Sequence, residues 1–128
     1  MPIARIERIE QDIEFTATAT VEFARVQNNQ RVIGCTCRVV RAGNGTGTVS
    51  IGRTGSPTVM MTTADVGAGV AGLKTTASGS DLAGNGTKHT ADTPLVVDYI
   101  QGTNTVHPII RVTVLFLRED VWANLVTK

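Results

Sequence analysis

The chain has 128 residues and a formal net charge of +1; 41% of it is hydrophobic and 18% charged. That is one ordinary globular domain rather than a disordered tail, long enough to bury about two-thirds of its unfolded surface. The cations are scattered from Arg5 to Lys128, and one Trp, one Tyr and three Phe offer no stacking platform, which argues against a nucleic-acid partner.

No run approaches the roughly 20 apolar residues that span a bilayer, so no membrane partner is expected. Met1 to Glu14 mixes Arg5, Glu7, Arg8, Glu10, Asp12 and Glu14 with isoleucines, which is not the apolar core of a signal peptide. Synthesis and folding in a cytoplasm are the expectation. Ile3, Ile6, Ile9 and Ile13 stand at spacings that suit a helix face, yet β-branching disfavours a helix, and an extended arm fits as well. Residues 1–12 are therefore read as an N-terminal arm and residues 13–128 as one β-sandwich domain.

Ile13, Phe15, Ala17, Ala19, Val21 and Phe23 then alternate with Glu14, Thr16, Thr18, Thr20 and Glu22. A period of two marks a strand with one dry face, and it predicts a strand over Ile13 to Val26 with a bulge near Ala24. Arg31 to Arg41 follows as a strand with Ile33, Cys35, Cys37 and Val39 inward and Thr36 and Arg38 outward. Gly43 to Gly47 reads as a loop in which Asn44-Gly45 marks a hairpin. Thr48 to Arg53 alternates around Val49 and Ile51, and Thr58 to Thr63 is a shorter strand.

Ala64 to Thr93 is rich in Gly, Ala, Ser and Thr. It is expected to form loops with short strands near Gly72 to Thr76 and near Lys88 to Thr90, anchored by Val66, Val70, Leu73 and Leu82. Leu95, Val97 and Tyr99 form the inward side of the next strand. Ile110, Val112, Val114 and Phe116 form that of the last, with Leu115 and Leu117 on an outer face that must be partly covered. Asp120 then caps a short C-terminal helix bearing Val121, Trp122 and Leu125. Short strands with Gly/Asn turns predict an all-β fold: a β-sandwich of jelly-roll or Greek-key type first, an immunoglobulin-like sandwich second, an open meander third.

The residues offer little chemistry. Cys35 and Cys37 lie one residue apart on a strand, with Cα atoms about 6.5–7 Å apart, near the limit for a disulfide. His89 and His107 lack the spacing of a zinc site, so the thiols read as buried apolar groups. Gly43-x-Gly45-x-Gly47 has no helix after it to present amides to a phosphate. No serine sits in a nucleophile elbow, and Asp65, Asp81, Asp92 and Asp98 have no calcium-loop spacing. Asn44-Gly45-Thr46 and Asn85-Gly86-Thr87 match a glycosylation pattern that has no signal peptide to support it. No catalytic, metal or cofactor site is expected.

Three features point to self-association: the Gly/Ala/Thr-rich middle segment, the isoleucine arm, and Trp122 and Leu125 beside the outward Leu115 and Leu117. The element order also resembles that of small structural proteins of tailed-phage virions. The residues that carry it are the Thr/Ala/Val strand before Val26, Arg31 to Val40, Gly45 to Gly52, the Gly/Ala-rich loop, Thr90 to Val97 and the final strand. The chain departs from that pattern in its charged Arg5 to Glu14 segment and in Arg53 to Pro57.

The resemblance implies a capsid decoration, or cement, protein. Such a protein is a jelly-roll-like homo-oligomer, a trimer, on the outer surface of a phage head, with the major capsid protein and itself as partners. Ile3, Ile6, Ile9, Ile13, Trp122 and Leu125 are the candidate contact residues. A carbohydrate- or receptor-binding module of a tail or spike is the alternative, with Tyr99 and Trp122 as its sugar-stacking candidates. A cupin-like enzyme is a third reading and lacks the His-x-His metal spacing.

Overall fold

The computed structural model describes residues 5–27, 30–79 and 92–118. Within them the chain forms eight strands: β1 (Arg5–Glu14), β2 (Ala19–Val26), β3 (Gln30–Arg41), β4 (Thr48–Arg53), β5 (Ser56–Asp65), β6 (Lys74–Thr76), β7 (Thr93–Ile100) and β8 (Ile109–Arg118). They make two four-stranded antiparallel sheets, one in the order β1-β8-β3-β6 and the other β2-β7-β4-β5. No helix occurs among the described residues. The predicted C-terminal helix and the short strand near Lys88 lie outside them, as does Asn85-Gly86-Thr87.

The inner faces of the two sheets share one core. Phe116, Ile110, Val112 and Val114 come from β8, and Val32, Cys35, Cys37 and Val39 from β3. The other sheet supplies Leu95, Val97 and Tyr99 from β7 and Val49 and Ile51 from β4. Fully burying a side chain of this size contributes about 1.5–3 kcal/mol, so the two central strands of each sheet dominate the stability. Phe15 closes one end by stacking on Tyr99, with ring centroids 4.5 Å apart. Both cysteines are free and buried, as their position on β3 predicts. Burial pushes the Cys35 thiol up to about 12, with a smaller contribution from Cys37, and pushes Cys37 up to about 11.

Three expectations need correction. The alternating run from Ile13 to Phe23 is not one strand: β1 ends at Glu14, the chain turns through residues 15–18, and β2 starts in the other sheet. The dry parity survives because Ile13 and Phe15 face the shared core from one side of the corner and Phe23 from the other. An irregularity between Glu22 and Ala24 then shifts the β2 register, so that Val26 returns to the core off the Phe23 parity.

The second correction is Ile33, expected inward but exposed. A register shift between Val32 and Gly34 puts Val32 in the core instead and turns Ile33 out. The third is Asn44-Gly45, which is not a hairpin turn, because the loop it sits in carries the chain from β3 to β4 and so from one sheet to the other. The true hairpin is the next connection, β4 to β5, whose Gly55 has φ +84°, the left-handed region that a side chain disfavours.

Residues 5–12 of the segment read as an arm belong to β1, which is paired with β8 along its whole length from Arg5↔Arg118 to Glu14↔Ile109. β1 is the outer strand of its sheet, so its other edge faces away from β8.

Candidate interaction surface

On β1 a three-residue step changes face, so the isoleucines do not gather on one side. Ile6 stands on the outer face beside Leu117 and is 62% exposed. Ile9 shares the inner side with Ile13, opposite Val114, yet it remains 37% exposed. Ile13 is a core residue. Of the candidate contact residues, Ile6 and Ile9 are thus presented on the outer strand of the sheet, while Ile3, Trp122 and Leu125 lie outside the described residues.

Charged side chains run along the same strand. Asp12 accepts from Arg111 Nε at 2.7 Å and from Nη2 at 3.1 Å, a two-pronged pair across β1 and β8. The Arg111 hydrogen bond holds the Asp12 carboxyl below the usual carboxylate range. Glu10 accepts from Arg8 Nη2 at 3.1 Å and from the Thr113 hydroxyl at 3.0 Å. Arg41 donates twice to the carbonyl of His107 and lies 3.6 Å from Glu14. Charged side chains along an outer strand discourage indiscriminate edge pairing, so an interface here must be selective.

One end of the sandwich is rigidly knotted by side-chain amides. The β3–β4 loop lies against the β7–β8 loop, where Asn104 is fully buried. Its Nδ2 donates to the Tyr99 phenol oxygen at 3.0 Å, and its Oδ1 accepts from the Gly45 amide at 2.6 Å. The phenol oxygen also lies within hydrogen-bond distance of His107 Nδ1, 3.1 Å away. Asn44 in turn accepts from the Thr105 and Val106 amides at 2.8 and 3.0 Å. A Cβ on Gly43 would fall 2.5 Å from the Asn104 amide nitrogen, and one on Gly47 would also clash with it, so these glycines serve close approach rather than phosphate binding.

The polar groups of this cluster are directed at one another. His107 and Tyr99 are structural neighbours, and the thiols of Cys35 and Cys37, raised by burial, lie on the other sheet. Among the described residues no three His, Cys, Asp or Glu side chains gather to hold a metal ion, and no helix is long and apolar enough to cross a membrane. His89 and Asp81 lie outside the described residues. Tyr99, a sugar-stacking candidate in the sequence, has 0% exposure and serves the core.

Sequence reasoning missed the Asn44–Asn104 lock and the ladder of charges across β1 and β8. Both depend on residues about sixty to a hundred positions apart, and only strand order brings them together.

No protein-family model matches the chain, and no curated protein does. Solved structures do match its fold. A chain of the acid-stable capsid structure of Helicobacter pylori bacteriophage KHP30 superposes with a TM-score of 0.66 at 14% identity, covering 90% of this chain and 93% of that one. A chain of the cyanophage Pam1 capsid asymmetric unit gives 0.69 at 16%, covering 90% and 86%. A chain of the Ralstonia phage GP4 capsid gives 0.66 at 16%, covering 89% and 84%. The fold of this chain is one found in phage capsid structures.

Proposed function

We propose that this chain is a structural protein of a phage virion, a decoration protein that binds the outside of the head as a homotrimer and stabilises the shell. The observation that carries the reading is the match over nearly the full length of both partners to chains of three different phage capsids. Strand order supports the jelly-roll form of the sandwich: β1-β8-β3-β6 facing β2-β7-β4-β5 is the order produced when one long β-ribbon folds over on itself into two Greek keys.

The mechanism is linkage. A protein that binds the assembled shell and not its free subunits lowers the free energy of the shell by mass action. Three copies joined in one oligomer raise the avidity of contacts that are individually weak. Ile6 and Ile9 are the described residues proposed to meet the capsid or a neighbouring copy, together with Ile3, Trp122 and Leu125. The major capsid protein and further copies of this chain are the partners, and the virion surface is the location after synthesis in the host cytoplasm. Burial of Tyr99 removes one of the two aromatics that a glycan-binding reading needs.

Solution mass and co-sedimentation with undecorated heads of the parent virus test the proposal. A trimeric mass and saturable binding are expected, with binding reduced in Ile6→Asp and Ile9→Asp. These are better probes than deletion of residues 2–12, which would also remove β1 from its sheet. A strict monomer that ignores heads overturns the reading.

A further inference from the structure

The outer face of the first sheet bears a row of charge whose register is costly for the free domain. Asp12 is opposite Arg111, Arg111 is opposite Arg38, and Arg38 is opposite Lys74, across β1, β8, β3 and β6. Like charges directly opposite one another on an antiparallel pair repel. Three successive cations are therefore the reverse of what stability alone selects. Asp12 answers only the first of them. Arg38 and Lys74 are exposed and make no ion pair or side-chain hydrogen bond among the described residues.

These cations, together with the Arg8–Glu10 ion pair, line a depression of about 400 Å³ to which Thr36, Thr113 and Leu115 also contribute. A second, more apolar depression of about 210 Å³ adjoins it at Leu115, lined by the outward-turned Ile33 and by Gly34. Adjacent strands lie about 4.8 Å apart, so the positive strip from Arg111 to Lys74 spans only about 10 Å. That is too short to follow a nucleic-acid backbone, and Glu10 and Asp12, each already paired with an arginine, bound it on the β1 side. It matches two carboxylates on an extended peptide, with hydroxyls beneath them and an apolar side chain alongside.

We infer that the outer face of this sheet docks an acidic, extended segment of a protein partner. Arg38 and Lys74 receive its carboxylates, and the depression at Ile33 and Leu115 receives an apolar side chain. Arginine gives the forked, charge-assisted contact and lysine a point contact. The inference stands on the register and shape of the face, independently of the virion reading.

Fluorescence anisotropy of the full chain with a labelled oligoglutamate peptide containing one leucine tests it. Inorganic phosphate and a single-stranded oligonucleotide serve as competitors. The peptide is expected to bind, more weakly as salt rises, and to lose about tenfold or more in affinity in the R38A/K74A double variant, since two charge-assisted contacts go. Arg25→Ala, which removes a cation from the other sheet, should leave binding unchanged. Melting temperatures of the Arg38 and Lys74 variants should equal or exceed that of the parent chain. Absent peptide binding, an equal loss in Arg25→Ala, or oligonucleotide binding that outcompetes the peptide would overturn the inference. So would a fall in melting temperature, because the two cations would then serve the fold.

Discussion

Asn104 donates to the phenol oxygen of Tyr99 at 3.0 Å while both residues are sealed from water, so one amide ties the β7–β8 loop back to the end of the strand that leads into it. The same side chain accepts from Gly45, which belongs to the loop that crosses between the sheets. Tyr99→Phe leaves the Asn104 Nδ2 group buried without an acceptor and should cost about 1–3 kcal/mol. Asn104→Ala strands the Gly45 amide, strips one of the two partners from the Tyr99 hydroxyl and leaves a gap, and should cost more. Urea unfolding of the two variants beside the parent measures both; equal stability in all three would mean that water replaces the lock.

Gly47 sits where a Cβ would strike the Asn104 amide. Its backbone does not have the positive φ of Gly55, so the requirement is space rather than backbone freedom. Gly47→Ala should destabilise by about 1–3 kcal/mol through overpacking. Gly55→Ala is strained for the other reason, its left-handed φ in open surroundings, with a cost of about 1 kcal/mol. Thermal melts of a double variant, G47A with N104A, separate the two causes: the Gly47 penalty should largely vanish once the Asn104 amide is gone, and the Gly55 penalty should not.

The thiols of Cys35 and Cys37 are raised above the ordinary range by burial. Neither should react with a thiol reagent at neutral pH in the folded protein, and both should react after denaturation. The sign for stability follows. The unfolded chain loses these protons near the ordinary thiol pKa of about 8.5 and the folded chain keeps them, so stability is whole below that pH and declines above it, up to the folded values. Denaturant midpoints across alkaline pH, compared between the parent and a C35A/C37A variant, should show the parent losing more.

Asp12 has its pKa lowered by Arg111, so the pair favours the folded state above the ordinary carboxylate pKa and loses that effect as pH falls through the folded one. Both groups are solvent-exposed and the effect on stability should be small. The clearer readout is the titration itself. In Arg111→Ala the carboxyl resonance of Asp12 should titrate at higher pH, near the peptide value of about 3.9. An unchanged midpoint would show that Arg111 is not its partner in solution.

Sequence periodicity exposed the strands whose pattern is local. Leu95, Val97 and Tyr99, and Ile110 through Phe116, keep one parity because β7 and β8 lie in the interior of their sheets and are regular on their core faces. Periodicity failed where a single residue moved the parity. Val32 and Ile33 are interchangeable as apolar letters, and only the register shift beside Gly34 decides which one is dry. It failed again at residues 15–18, since alternation continues across a corner when both sides face the same core. The charged row on the outer face was beyond reach for a different reason. Arg38, Lys74 and Arg111 look like three unrelated surface cations until strand order places them side by side.

The pairing of β1 with β8 also sets a timetable. Asp12 and Arg111 are 99 positions apart, so the first strand cannot find its hydrogen-bonding neighbour until nearly the whole domain has left the ribosome. Contacts this distant in sequence make folding slow and leave the early strand waiting. While it waits, Arg5, Glu7, Arg8, Glu10, Asp12 and Glu14 keep it hydrated, where an apolar strand of equal length would recruit other nascent chains. The charges that later line the outer edge thus first act as gatekeepers during synthesis.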